Sequence, residues 1–254
     1  MQITLVQGIL LAVMSFIAGI DNQTEAFFWF RPMTTAFLAG LILGDVQLGC
    51  KCAAISELSF AGLLTIGGTV PPDALVAGVM TTVLAYTNPS LTPEAALGVS
   101  FGFALIMQYV GVGTNTFYAY FHRAMDKKAE QGDSKGLWTI ALASLTIKAA
   151  LYAIVVFLSS YAMQDVMKNL VNSFPEWIVN GLTVAGGIMP AIGLAQLLVV
   201  MMNNSNMPFL FIGFIAATTI QMGNILPLAI VGGAIAVLFY MNNKDSKGGD
   251  SNGI

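Results

Sequence analysis

Charge is scarce in this chain. Only 9% of its 254 residues are Asp, Glu, Lys or Arg, against about 25% in an ordinary soluble domain. Histidine occurs once, at His122, and cysteine is limited to Cys50 and Cys52. Each shortage closes a class of function. Ten basic residues under a net charge of −3 provide no cationic strip for a phosphate backbone, which excludes nucleic-acid binding. One histidine and two thiols do not make a zinc site, and a disulfide between Cys50 and Cys52 would be strained, so both are expected free. No Walker sequence, dinucleotide fingerprint or Gly-x-Ser-x-Gly elbow is present. No cofactor, no metal and no catalytic nucleophile are expected.

Apolar residues are abundant instead. They make up 56% of the chain, and the mean hydropathy is +0.77. A soluble domain of this length could not hide so much apolar surface, so the chain reads as an all-α polytopic membrane protein. The first apolar run, Ile3 to Ile20, lacks a basic leader and a small-residue cleavage pattern, so it is expected to stay as a membrane helix that ends at Asp21. Three runs that follow, Met33–Gly44, Cys52–Ile66 and Ala74–Tyr86, are short for a hydrocarbon core of about 30 Å at about 1.5 Å per residue. Between the last two stands Gly67-Gly68-Thr69-Val70-Pro71-Pro72-Asp73, which cannot be continuous helix. Broken apolar segments must line a cavity or pack inside protein, because lipid satisfies no backbone hydrogen bonds.

Later runs are longer. Ala95–Phe121, Leu137–Met163 and Trp177–Met202 are each expected to span, the last interrupted at Gly186, Gly187 and Pro190; Met207–Met222 and Ile225–Met241 complete the membrane part, residues 1–241. Residues 122–136 read as a hydrophilic loop holding four of the ten basic residues, hence cytoplasmic by the positive-inside rule and a weak candidate for docking. Residues 242–254 read as a disordered polar tail.

Residues 57–72 and 176–191 align without gaps at Glu57/Glu176, Gly62/Gly181, Leu63/Leu182, Gly67/Gly186, Gly68/Gly187 and Pro71/Pro190. This echo predicts a two-fold internal repeat with halves near 1–121 and 137–241, and matched broken segments point to a transporter's substrate site. Glu57 and Asp73 are the acids nearest the break. Glu57 either accepts hydrogen bonds from a ligand, takes a proton, or caps a helix end. Asp73 stands where an N-cap belongs and can also touch a ligand. Gln108 lies mid-run, suited to a neutral sugar or to an interhelical bond; Asn115 continues its face. Lys148 either pairs with an acid or snorkels. Phe60, Phe101 or Tyr109 could offer an apolar face to a sugar ring.

The order of Ile3-Thr4-Leu5-x-Gln7, Phe16-Ile17-Ala18-Gly19, Arg31-Pro32, Leu43-Gly44-Asp45, Glu57, Pro71-Pro72-Asp73-Ala74, Pro175-Glu176-Trp177, Asn180-Gly181-Leu182 and Ala185-Gly186-Gly187 resembles the enzyme IIC subunits of the bacterial phosphotransferase system (PTS), in the mannose/fructose/sorbose branch. Phe60-Ala61-Gly62-Leu63, Gly67-Gly68-x-x-Pro71-Pro72 and Met107-Gln108-Tyr109 look most like the galactosamine/N-acetylgalactosamine members. The resemblance implies an inner-membrane sugar permease with a mobile core domain and scaffold helices, moving sugar by an elevator-like step. It implies a IID membrane partner in a trimer of heterodimers, and cytoplasmic IIB and IIA that phosphorylate the incoming sugar. Carried over by position, the sugar site would include Glu57, Thr65, Gly68, Pro71 and Asp73, joined by Gln108 and Asn115. Thr65 stands where mannose-type members have Asn. The alternatives from other classes are a proton-coupled secondary sugar transporter, with Glu57 or Asp73 as the proton site, and a membrane scaffold without transport.

Overall fold

The computed structural model describes residues 2–63, 70–203, 206–219 and 226–247. Every element among them is helical, in the order α1 (Leu5–Thr24), α2 (Pro32–Leu43), α3 (Val46–Phe60), α4 (Ala74–Thr87), α5 (Pro93–Glu130), α6 (Ser134–Phe157), α7 (Gln164–Asn172), α8 (Glu176–Met201), α9 (Met207–Thr219) and α10 (Leu226–Lys247). Among the described residues four stretches are long and apolar enough to cross a membrane: α1, α5, α6 with the π-turn Leu158–Ala162 that continues it, and α8. The chain divides into two units, 1–200 and 201–254.

Local chemistry sets the ends of these helices. Thr4 and Gln7 form a reciprocal capping box at the start of α1. Pro32 opens α2, where its missing N–H costs nothing, and Gly44 at φ 86° closes it. Asp45, Asp73, Thr92 and Asp133 cap α3, α4, α5 and α6 through side-chain oxygens that accept from Leu48, Val76, Ala95 and Gly136 N–H groups.

Packing in the first unit depends on small residues. A Cβ on Gly40 would lie 2.5 Å from the Gly49 Cα, so the backbones of α2 and α3 nearly touch. Gly78 brings α4 against Thr35 and Pro32 of α2 in the same way, and Gly19 seats α1 on Ala149 and Tyr152 of α6. Helix α4 is buried on nearly all sides. At about 21 Å it is too short to cross a bilayer, and α2, α3 and α5 pack around it, as a short helix inside a membrane bundle requires. Its hydroxyls find partners inside: Thr82 Oγ1 donates to the Ala36 carbonyl at 3.1 Å, and Thr81 and Ser100 share a bond of 2.8 Å. Helices α1 and α6 pack along each other. In the second unit α9 contacts α10, and the rings of Phe209 and Phe239 meet edge-on at 5.5 Å.

Several segment ends differ from the sequence expectation. Asp21 does not stop α1; it is buried, and its carboxylate accepts the Phe27 and Trp29 N–H groups of the returning loop at 2.8 and 2.5 Å. A carboxylate supplied with two donors loses the cost that would have ended the run. Residues 122–130 are helix rather than loop, the turn being confined to 131–133 with Gly132 at φ 66°. Lys, Ala, Gln and Glu are good helix formers, so polarity marks where the helix leaves the bilayer, not where it uncoils. Helix α8 runs unbroken through Gly186, Gly187 and Pro190; neighbouring backbone in a membrane bundle tolerates the lost hydrogen bond. The echo therefore does not give two broken helices. Helix α10 extends through Lys247, six residues into the segment expected to be disordered.

Candidate functional site

The chain between α3 and α4 returns to helix at Val70-Pro71-Pro72-Asp73, and the surroundings of that stretch form a cavity of about 390 Å³. That lies within the usual range for small-ligand sites, about 300–1,000 Å³. Its walls come from the end of α1 (Asn22, Glu25), the loop before α2 (Phe28, Phe30, Arg31), the end of α3 (Phe60, Leu63), the prolyl stretch itself, one face of α5 (Met107, Gln108, Gly111, Asn115) and α6 (Lys148, Tyr152). Gln108, Gly111 and Asn115 stand at helical spacing on α5 and so present one face.

Asp73 is the hub. One carboxylate oxygen accepts the Val76 N–H at 2.9 Å and caps α4, and the other accepts the Tyr152 hydroxyl at 2.5 Å. The Tyr152 oxygen in turn accepts from Asn22 Nδ2 at 2.7 Å. A hydrogen-bonded chain therefore runs from α1 through α6 to the start of α4. The Asp73 N–H donates to the Ala104 carbonyl at 3.1 Å, and Gln108 Nε2 donates to the Val70 carbonyl, which fastens the stretch to α5. These backbone groups have no intrahelical partner, and the α5 backbone carbonyl of Ala104 and the Gln108 side chain supply what the helix cannot.

Glu57 is placed differently. It does not line the cavity. Its carboxylate accepts from Arg31 Nε at 2.9 Å and from Arg31 Nη2, and its second oxygen accepts the Met33 N–H at 3.1 Å. Glu57 thereby holds Arg31, which does line the cavity. Pro71, Asp73, Gln108 and Asn115 come together as expected; Thr65 and Gly68 lie outside the described residues. Phe60 lines the cavity with Phe101 behind it at 6.2 Å between ring centres, whereas Tyr109 is exposed. Sequence reasoning missed Asn22 and Tyr152, and it took Arg31 only as part of a motif. Tyr152 could have been suspected from its place one helical turn after Lys148.

A second hollow of about 450 Å³ lies where Ser90 and Leu91 meet the ends of α7 and α8, with Glu176 and Asn180 in its wall. At the turn between α5 and α6, Asp133 accepts from Gly136 N–H and from Lys128 Nζ, both at 2.9 Å, and those two donors hold its carboxyl below the usual carboxylate range. Both cysteines are free, Cys52 buried and Cys50 exposed. Among the described residues no three His, Cys, Asp or Glu side chains gather in a metal-binding group.

Residues 5–238 match the family described as PTS system sorbose-specific IIC component. The chain is 40% identical over 243 residues to the N-acetylgalactosamine permease IIC component 1 of Escherichia coli K12, covering 96% of this chain and 91% of that protein. A solved structure of a membrane protein overlays with a TM-score of 0.83 at 29% identity, covering 94% of this chain and 97% of the other. A cryo-EM structure of the mannose transporter ManYZ with microcin E492 overlays with a TM-score of 0.60, also at 29% identity, covering 95% and 97%.

Proposed function

The chain belongs to the sorbose-specific IIC family of the phosphotransferase system, and from that membership we propose that it carries N-acetylgalactosamine or a related hexose across the membrane for phosphorylation on the cytoplasmic side. It is a sugar permease of the mannose/sorbose branch, an inner-membrane protein that works with other components of the system. The relative at 40% identity is an N-acetylgalactosamine permease component, and that favours an amino sugar over mannose. The partners we assign are a IID membrane subunit, in a trimer of heterodimers, and cytoplasmic IIB and IIA proteins; phospho-IIB supplies the phosphoryl group.

The observation that carries the proposal is the cavity at the break before α4. A neutral hexose needs fixed donors and acceptors around an enclosed ring-sized space. Asn22, Arg31, Gln108 and Asn115 offer amide and guanidinium groups, and Phe60 offers an apolar face. Asp73 and Tyr152 keep these walls in register. Helix α4 packs on α2, α3 and α5, α1 packs on α6, and α5 and α6 join the two groups; the family resemblance makes such groups a mobile core and a scaffold. We therefore favour an elevator-like movement.

Uptake of labelled N-acetylgalactosamine, with the internal product analysed, tests this in cells that carry the partner subunits. The expected product is a sugar phosphate, and Asp73→Asn should lower its yield at least about tenfold. Free internal sugar that disappears with an uncoupler would replace the permease with a proton-coupled transporter.

A further inference from the structure

We propose that Lys148 is a specificity-determining residue of the cavity, a fixed cation that admits neutral hexoses and N-acylated amino sugars and turns away amino sugars whose nitrogen is a free ammonium. The proposal rests on the sugar-permease assignment above and narrows its substrate class.

Lys148 lies in the middle of α6, half-buried, on the cavity wall one helical turn before Tyr152. The ion pairs among the described residues are Arg31 with Glu57 and Lys128 with Asp133. Among the described residues no carboxylate lies within ion-pair distance of Lys148 and none hydrogen-bonds its ammonium. An ammonium inside a membrane-spanning helix usually has a partner or faces a pathway. Here it faces the cavity with three donors open.

The other charges around it are already engaged. Arg31 is neutralised by Glu57. Each Asp73 oxygen accepts one hydrogen bond from a neutral donor, Val76 N–H or the Tyr152 hydroxyl, and Asp73 acts on Lys148 across space. Glu25 sits at the exposed rim, where water and salt screen it. A ligand entering this space therefore meets an unpaired cation that donates but cannot accept. A hydroxyl or an acetamido carbonyl oxygen suits it. An ammonium on the sugar has no lone pair to offer and adds a like charge. At about 6 Å and an effective dielectric of about 20, that repulsion alone is worth on the order of a hundredfold in affinity, part of which Asp73 offsets.

The test uses the whole chain with its partner subunits, at pH 6 so that the free amine is protonated. Phosphorylation of labelled N-acetylgalactosamine is competed separately with galactosamine and with unlabelled N-acetylgalactosamine. The ratio of the two half-inhibiting concentrations is independent of how much folded protein each strain holds. In wild type, galactosamine should compete at least about tenfold less well. Lys148→Met and Lys148→Gln should each bring the ratio down about tenfold, while Lys148→Arg should leave it near the wild-type value. A ratio in the Met and Gln variants within about twofold of wild type would overturn the proposal, as would equal competition by both sugars in wild type. Failure of wild type to form any sugar phosphate would instead remove the permease assignment on which the proposal stands.

Discussion

At Asp73 a single carboxylate closes two structures, the first turn of α4 and the link through Tyr152 to Asn22. Asp73→Asn keeps the cap, because asparagine caps nearly as well as aspartate, but it replaces a charged acceptor with a weaker one. Tyr152→Phe removes the donor and leaves one Asp73 oxygen and the Asn22 amide without their partner. The expected cost is about 1–3 kcal/mol, seen as a raised KM for uptake with a smaller change in thermal stability; an unchanged KM would show that the link is only structural. Glu57 gives a different forecast. It holds Arg31 from outside the cavity, and the two side chains are 28% and 25% exposed. Glu57→Gln keeps a hydrogen-bond acceptor and should retain most transport. Glu57→Ala leaves a half-buried guanidinium uncompensated and should cost about 1–3 kcal/mol in stability, read as a lower unfolding temperature of the detergent-solubilised protein. Asp73 was legible as the cap of α4 because two prolines before an apolar run leave few other roles. Glu57 was legible as important but not as an ion-pair partner of Arg31, since 26 residues separate them and no local spacing connects distant positions.

Among the elements, α2 and α3 make the sharpest case. Their contact depends on Gly40 and Gly49, whose backbones leave no space for a side chain. Gly40→Val should cost about 1–3 kcal/mol by overpacking and lower the yield of folded protein, whereas Gly102→Val, at a glycine with open space around it, should leave the yield near wild type. The turn between α5 and α6 carries a pH signature. Asp133 has a folded-state pKa lowered first by Gly136 N–H and then by Lys128, so its contribution is present above the unfolded value of about 3.9 and is lost as pH falls through the lower folded value. Protection of the Gly136 amide from hydrogen exchange should therefore hold at pH 6 and decline below about pH 4; constant protection across that range would remove Asp133 as the cap. Helix positions were largely legible in apolar runs and, at Asp73, in the capping residue; the caps at Asp45 and Pro32 were not foreseen. Helix ends were not. Asp21 is answered by loop amides, and α8 continues through Pro190 instead of being interrupted there. In both places the missing information was tertiary: which backbone groups come close enough to satisfy a buried acid or to replace a lost bond.

For the whole molecule, the central claim is that this membrane chain passes sugar into a phosphotransfer step rather than releasing it free. The long apolar helices among the described residues, the cavity before α4 and membership of the IIC family all bear on that claim. The most direct measurement is the chemical form of labelled N-acetylgalactosamine recovered from cells expressing this chain with its partner subunits, with and without an uncoupler. The account predicts sugar phosphate, formed undiminished in the presence of the uncoupler and at least about tenfold less in Asp73→Asn. Free sugar whose accumulation collapses with the uncoupler would contradict it.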